Sequence, residues 1–167
     1  MDRLMRTGGT AALQFGQAVT GVSSSMLLQQ RRSVAASVVS TSGGGSLDIT
    51  LLLADGGLRG RADPAFAAHI EPIYHWALAV WESWLLMRAM QRLLREAQTR
   101  LGAARNLCAV VRGPASAFVA TAARLRWVVH DAVAVTTDSG VALAFSMDSP
   151  AFVKEAVAGC GSTPWYT

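Results

Sequence analysis

The clearest pattern in the chain is an apolar stripe that begins near Pro72 and continues to about Arg105. Its members recur at steps of three and four residues: Ile73, Trp76, Val80, Trp84, Met87, Met90, Leu94, Ala97 and Leu101. Residues at that spacing lie on one side of an α-helix. The stripe therefore predicts one long amphipathic helix. A short helix is predicted to lead into it, because Asp63-Pro64 offers a capping carboxylate followed by a proline suited to the first turn.

Two further helices are predicted from their boundary residues. Gly113-Pro114 breaks the chain, and the small apolar residues that follow predict a helix over residues 115–125. Asp148-Ser149-Pro150 is a second start signal, and it predicts a last helix that continues through Val157 and stops at Gly159. Residues 47–54 are compatible with a short strand or with a helical turn, and their pattern does not decide between the two.

A β-hairpin is predicted between these two helices. Residues 128–136 and 141–147 are rich in residues that favour strands and alternate loosely in polarity. The four residues 137–140, Thr-Asp-Ser-Gly, form a turn signal between them. The predicted fold class is therefore α+β, mainly α: a long amphipathic helix, shorter helices and one small hairpin.

The first part of the chain has a different composition. Residues 1–40 contain a single acid, Asp2, together with several arginines and many serines. Such a composition is typical of an organelle transit peptide, and a weak helix over residues 10–39 is the competing interpretation. A Thr-Ser-Gly-Gly-Gly-Ser break follows. We therefore predict a flexible, weakly helical or disordered N-terminal arm over 1–46, a single α-rich domain over 47–160 and a tail over 161–167.

Arginine dominates the charge of the chain. The net charge is +4, and the stretch from Arg88 to Arg126 holds eight arginines with one acid, Glu96. Guanidinium groups pair well with phosphate and stack on bases, which favours nucleic-acid contact; a high-GC coding bias explains the same excess. The residues predicted to contact phosphates are Arg88, Arg92, Arg95, Arg100, Arg105 and Arg112. Arg88, Arg92 and Arg95 share one side of the predicted helix, and Glu96 is predicted to pair with Arg100.

Tryptophans are concentrated just before the arginines. Trp76, Trp81 and Trp84 lie within nine residues. They are predicted to anchor the long helix in a core, although Trp81 or Trp127 could also stack on a base. A protein-interaction module that docks through this tryptophan-rich helix is the alternative function.

Metal and cofactor chemistry find no support in the residue spacing. His69 and His75 lie on different sides of a helix, and neither Cys108 nor Cys160 stands at ligand spacing, so no metal or cofactor is predicted and the thiols are expected to be buried and reduced. Three acids near the glycine loops are expected to be solvated loop residues: Asp48, Asp55 and Asp63. The longest apolar run is far shorter than the ~20 residues of a membrane span, so no membrane partner is predicted.

One catalytic alternative remains in the turn of the predicted hairpin. Asp138-Ser139-Gly140 matches the triplet of aspartic proteases, in which two carboxylates share a proton. A dimeric protease using Asp138 is therefore a remote alternative, against a hairpin turn in which Gly140 supplies the positive φ.

Several segments resemble reverse-transcriptase polyproteins of non-LTR retrotransposons. The resemblance runs through Ala62-Asp63-Pro64-Ala65-Phe66-Ala67-Ala68-His69, Val80-Trp81-Glu82 with Trp84-Leu85, and Val111-Arg112-Gly113-Pro114-Ala115. It continues to Asp148 with Pro150 and covers about residues 47–157. The matching region of such polyproteins lies between the polymerase domain and a ribonuclease H-like domain. Neither the Tyr-x-Asp-Asp turn of the polymerase nor the ribonuclease H carboxylates are present.

The resemblance implies a non-catalytic connecting or thumb-like segment that contacts RNA or DNA, or links the other domains of the polyprotein. The parent polyprotein would be an RNA-directed DNA polymerase, whereas activity on this chain alone is not expected. An intracellular location, nuclear or cytoplasmic, is expected, with organelle import left open by the N-terminal composition.

Overall fold

The computed structural model describes residues 16, 19, 21–38, 46–55 and 63–159. The predictions for the transit segment before residue 16, the glycine cluster, the tail and the two thiols fall outside the residues or side chains that it describes. The helices are α1 Ser24–Val38, α2 Leu47–Asp55, α3 Pro64–Trp81, α4 Met87–Gly102, α5 Leu107–Val110, α6 Pro114–Arg124 and α7 Pro150–Gly159. The strands are β1 Val128–Val129, β2 Ala134–Thr136 and β3 Ala142–Ala144.

The predicted fold class, mainly α with a small antiparallel sheet, is confirmed. The helix predicted over 115–125 is α6, and the helix predicted after Pro150 is α7. The segment over 47–54, for which strand and helix were both open, forms helix α2. Helix α1, inside the predicted arm, packs against α2 and α3.

The sheet contains the predicted hairpin and one additional strand. Its order is β1-β2-β3, with antiparallel pairing throughout, and Val135 faces Leu143 across the hairpin. Gly140 in the connecting turn has a φ of 82°, the conformation that glycine adopts without steric cost. The first predicted strand divides into β1 and β2, because Asp131 accepts a hydrogen bond from the backbone N–H of Val133 and turns the chain between them.

Aromatic side chains join the helices to the sheet in the core. Trp76 of α3 stacks on Phe118 of α6 with ring centroids 5.2 Å apart, and Phe118 meets Phe145 edge-on at 5.8 Å. The indole N–H of Trp76 donates to the carbonyl of Ala132 at 2.9 Å, so its polar atom is satisfied inside the core. Helix α3 packs against α6 and α7, and α4 packs against α6. Phe118 therefore lies at the meeting point of α3, α6 and the segment that directly follows β3.

The prediction of a short helix before Pro72 and a long one after it is wrong. Helix α3 begins at Pro64 and passes through Pro72 without a break. Asp63 caps its first turn by accepting from the N–H of Ala65 at 2.9 Å. Pro72 is buried, and its neighbours Ile70 and Ile73 are also buried in the core. The burial of this face stabilises a helix that lacks one backbone hydrogen bond at the proline.

The prediction of one continuous helix from Pro72 to Arg105 is also wrong, because α3 ends at Trp81. Ser83 adopts a φ of 53° and donates its backbone N–H to the carbonyl of Val80 at 3.1 Å. The N–H of Trp84 reaches back to the carbonyl of Ala79 at 3.1 Å. These two bonds form a Schellman motif, which satisfies the last carbonyls of a helix. Helix α4 then begins at Met87.

The same motif ends α6. Arg126 has a φ of 59°, and its N–H donates to the carbonyl of Ala123 at 3.1 Å. The N–H of Trp127 donates to the carbonyl of Ala122 at 2.8 Å. A tryptophan therefore occupies the same position in both motifs, but Trp127 is buried whereas Trp84 is exposed.

Replacing Ser83 by glycine is expected to stabilise the protein by about 0.5–1 kcal/mol. The left-handed conformation costs a residue with a Cβ about 1–2 kcal/mol, part of which glycine loses again through its greater freedom in the unfolded chain. Urea unfolding measures the change. Ser83→Ala is the matched control and should bring no gain, because alanine keeps the Cβ. Equal gains from both changes would contradict the proposed origin of the strain.

Candidate functional site

Three arginines form one exposed face of α4. Arg88, Arg92 and Arg95 all lie at the surface. They stand opposite the buried side of the helix, which consists of Met90, Leu94, Ala97 and Leu101. At 1.5 Å per residue, the three arginines extend over about 10 Å of helix. We call these three residues the arginine face.

An ion pair occupies the middle of the arginine face. Nε of Arg92 donates to Oε1 of Glu96 at 2.8 Å, and this hydrogen bond, with the carboxylate charge, raises the pKa of Arg92. The sequence predicted a pair between Glu96 and Arg100. Within the described part of the chain, Glu96 instead pairs with Arg92. Both orders place the partners one helical turn apart, so spacing alone could not choose between them. A phosphate at Arg92 would have to compete with Glu96.

The other three predicted arginines do not lie on this face. Arg100 is about 80° around the helix from Arg92 at 3.6 residues per turn. Arg105 lies between α4 and α5, and Arg112 lies between α5 and α6; both are exposed. The six arginines therefore divide into a group of three on one face and three that are spread along the following segment.

The segment between α3 and α4 forms an exposed apolar corner. We define the tryptophan corner as residues 81–86. Trp81 is 46% exposed, Trp84 56% and Leu86 83%. The prediction that three tryptophans anchor the helix in a core is therefore correct only for Trp76. The prediction from the apolar stripe depended on a continuous helix. Because α3 ends at Trp81, the next residue of the stripe, Trp84, is exposed to solvent.

A hydrogen bond fixes one edge of the Trp84 ring. Its indole N–H donates to Oε2 of Glu82 at 2.6 Å, and Glu82 is itself exposed. Trp84 precedes Arg88 by four residues, and Leu86 is the N-cap of α4. The tryptophan corner therefore leads directly into the arginine face. Exposed indoles therefore directly precede the exposed guanidinium groups along the chain.

Sequence reasoning missed a buried charge cluster near the start of α3. Arg31 and Asp63 are only 8% and 4% exposed, and Nε of Arg31 donates to both carboxylate oxygens of Asp63 at 3.0 Å. A terminal nitrogen of Arg31 also contacts Asp48 at 2.7 Å. Burial opposes the charged form of Arg31, but the hydrogen bonds to Asp63 and Asp48 outweigh it and raise its pKa.

The expectation of solvated loop acids is therefore wrong for Asp63, which is buried. For Asp48, whose side chain is 42% exposed, only the loop placement is wrong. Asp48 lies in the first turn of α2, and Asp63 caps α3. Asp55 is the last residue of α2. The guanidinium group of Arg31 pairs with both carboxylates. Among the residues that the structure describes, no cluster of three or more histidine, cysteine, aspartate or glutamate side chains could hold a metal ion.

His69 is part of the protein interior. Its Nδ1 lies 2.6 Å from the carbonyl of Ala65, one turn earlier in α3. Burial is the main cause that lowers its pKa to about 4, and the nearby charge of Arg124 acts in the same direction. The imidazole is therefore neutral near pH 7. His75 contacts Glu71 at 3.1 Å on the same helix and is separate from His69.

Asp138 lies at the exposed tip of the β2–β3 turn. The hydroxyl of the preceding Thr137 accepts from the N–H of Val141 at 3.0 Å and contacts the hydroxyl of Ser139 at 2.9 Å. These bonds organise a hairpin turn around the triplet. The paired carboxylate that a protease would require has to come from a second chain, and the protease alternative stays a prediction.

No helix within the described ranges combines the length and the apolar composition that crossing a bilayer requires. No model of a known protein family matches the chain, and neither a curated protein nor a solved structure shows detectable similarity to it. The resemblance to reverse-transcriptase polyproteins therefore depends on the quoted residues alone.

Proposed function

We propose that this chain is a non-catalytic segment that binds nucleic acid through the arginine face of α4. The observation that carries the proposal is that Arg88, Arg92 and Arg95 are all exposed on the side of α4 opposite its buried stripe. Guanidinium forks at this spacing can contact successive phosphates of a backbone. The excess of basic residues over acidic ones adds a general attraction to polyanions.

The resemblance to non-LTR retrotransposon polyproteins supplies the context of the proposal. A connecting or thumb-like segment between polymerase and ribonuclease H-like domains would hold the template and primer without catalysing a reaction. In that setting the arginine face contacts RNA or DNA, and the rest of the surface is available to the other domains of the polyprotein. The location implied is intracellular, in the nucleus or the cytoplasm.

Replacing Arg88 and Arg95 together by glutamine is expected to weaken nucleic-acid binding and reduce its salt dependence. Each phosphate contact contributes about 0.7 to the slope of log K against log salt for a single strand, so the loss of two contacts should lower the slope by about 1.4. Fluorescence anisotropy with a labelled oligonucleotide, measured across a salt series, gives both the affinity and the slope. Arg92 is left intact because it already pairs with Glu96.

Arg32 and Arg126 provide the matched control. Both are exposed and lie outside the arginine face, so their replacement by glutamine removes the same net charge. Glu96→Gln tests the opposite direction: it releases Arg92, and binding should tighten. Equal losses for the two arginine pairs would mean that net charge alone attracts the ligand. Undetectable or salt-independent binding by the unmodified protein would contradict the proposal.

A second function is favoured by the exposure of Trp81 and Trp84. Two large indoles in solvent are typical of surfaces that dock against another protein. A protein-interaction module would show self-association or partner capture that depends on Trp81 or Trp84. Loss of Arg88 and Arg95 would have little effect on such an association, which separates the two functions.

A further inference from the structure

We infer that the nucleic acid bound by this chain is an unpaired strand, whose bases stack on Trp81 and Trp84 while its phosphates contact the arginine face. This inference rests on the proposed function and specifies its ligand. It gives the tryptophan corner a role in binding, whereas the proposed function uses the arginine face alone. The tryptophan corner would contact the bases, and the arginine face would contact the phosphates.

The position of the indoles relative to the arginines supports this assignment. Trp84 precedes Arg88 by four residues, so at most ~14 Å of extended chain separates their Cα atoms. The corner ends where α4 begins, and the arginine face starts in the first turn of that helix. A strand that follows the arginines towards the N-terminus of α4 therefore reaches the corner within a few nucleotides.

The chemistry of the corner distinguishes unpaired bases from a duplex. In a duplex the faces of the bases are covered by their neighbours, whereas an unpaired strand can turn its bases onto aromatic side chains. Trp81 and Trp84 each keep about half of their surface in solvent. Exposed indoles next to a positive surface are the combination found in proteins that bind single strands.

The carboxylate of Glu82 argues against insertion of the corner into a membrane. Oε2 of Glu82 accepts the hydrogen bond from the Trp84 indole at 2.6 Å. Insertion of that ring below the lipid headgroups would bury a carboxylate or break this bond, and both are unfavourable. Stacking of a base needs only the face of the ring. The hydrogen bond at its edge would instead hold the ring in a fixed orientation.

The test compares a labelled, unstructured RNA of about 12 nucleotides with its duplex, and repeats both with DNA. The full chain is expected to prefer the single strand, although the duplex carries more charge. Trp84→Leu should lower the affinity for the single strand by about 5- to 150-fold, the range for one lost base stack, and leave duplex affinity within about twofold. Trp84→Phe keeps an aromatic face and should retain most of the binding. Binding should also quench tryptophan fluorescence, and less so in Trp84→Leu.

Leu86→Ala is the matched control, since Leu86 is the most exposed apolar residue of the corner but has no ring. It should change single-strand affinity by no more than about twofold. Unchanged melting temperatures would show that the variants fold. Equal binding of single strand and duplex, with no effect of Trp84→Leu, overturns this inference. The proposed function survives that result if the Arg88 and Arg95 pair still lowers affinity and salt slope.

Two other outcomes identify a different occupant of the corner. Binding to phosphatidylcholine–phosphatidylserine vesicles that Trp84→Leu abolishes, without any effect on RNA or DNA, would assign the corner to a membrane surface. A dimer in gel filtration that Trp84→Leu dissociates, again without an effect on nucleic acid, would assign it to a second copy of the chain. Either result overturns the inference. If the unmodified chain binds no nucleic acid, the inference and the proposed function fail together.

Discussion

Asp63→Ala is expected to lower the free energy of unfolding by about 3–5 kcal/mol, the usual cost of removing one partner from a buried ion pair. The substitution leaves Arg31 buried and removes the more deeply buried of its two carboxylate partners, Asp63, whereas the more exposed Asp48 remains. It also removes the cap of α3, because the same carboxylate accepts from the N–H of Ala65. Denaturant unfolding of the full chain, followed by circular dichroism, measures the loss.

Two matched variants separate the ion pair from the cap. Asp63→Ser keeps a capping oxygen and removes the charge, so it should be less destabilising than Asp63→Ala by about 1 kcal/mol. Asp48→Asn removes the charge of the partner that is more exposed to water and should cost about 1 kcal/mol or less. If Asp63→Ala costs no more than a lost cap, the buried guanidinium must find another partner, and the cluster is not a major source of stability.

Phe118→Ala should cost about 3–5 kcal/mol through the cavity that it leaves in the core. Phe118 is fully buried, stacks on Trp76 and meets Phe145 edge-on. Its removal takes contacts from α3, α6 and the segment after β3, in a core cluster that also contains Val135 and Leu143 of the sheet, so the helical and β signals should be lost in one transition. Thermal and urea unfolding measure the effect.

Phe118→Leu is the control for this change, because it keeps most of the volume and should cost much less than alanine. Trp84→Leu provides a comparison at the surface, where truncation of an exposed aromatic ring should change stability by only about 0.5 kcal/mol. Similar losses from Phe118→Ala and Trp84→Leu would contradict the assignment of one ring to the core and the other to the surface.

The elements with local signals could be predicted from the sequence. Helix α6 begins at Pro114 directly after Gly113, α7 begins at Pro150 directly after Ser149, and the β2–β3 hairpin turns at Gly140. Each boundary depends on residues that are adjacent in the chain. The arginine face could also be predicted, because residues at spacings of four and three share a side of any helix that contains them.

The corner between α3 and α4 could not be predicted in this way. No glycine or proline occurs in residues 82–86, and the motif that ends α3 uses a serine at positive φ instead. The apolar period continues across the break between α3 and α4. The prediction from that period therefore placed Trp84 in the core. Whether α3 continues or turns depends on the packing of α4 against α6, which a periodicity along the chain does not contain.

The charge cluster at Arg31 was missed for a related reason. Arg31 and Asp63 are separated by 32 residues, and their pairing needs α1 to pack beside the start of α3. The sequence identified Asp63 correctly as a cap, but a capping role does not reveal a second partner from another helix. Burial of both groups follows from the tertiary arrangement.

The same backbone motif ends α3 and α6, although the tryptophan in the motif is exposed in one case and buried in the other. At Ser83 and at Arg126 the turn is made by backbone hydrogen bonds, and the tryptophan that follows is exposed at residue 84 and buried at residue 127. Residue 84 is therefore free to drift during evolution with little cost to folding. If the corner binds a ligand as proposed, mutational drift at this position would change the ligand preference while the architecture persists.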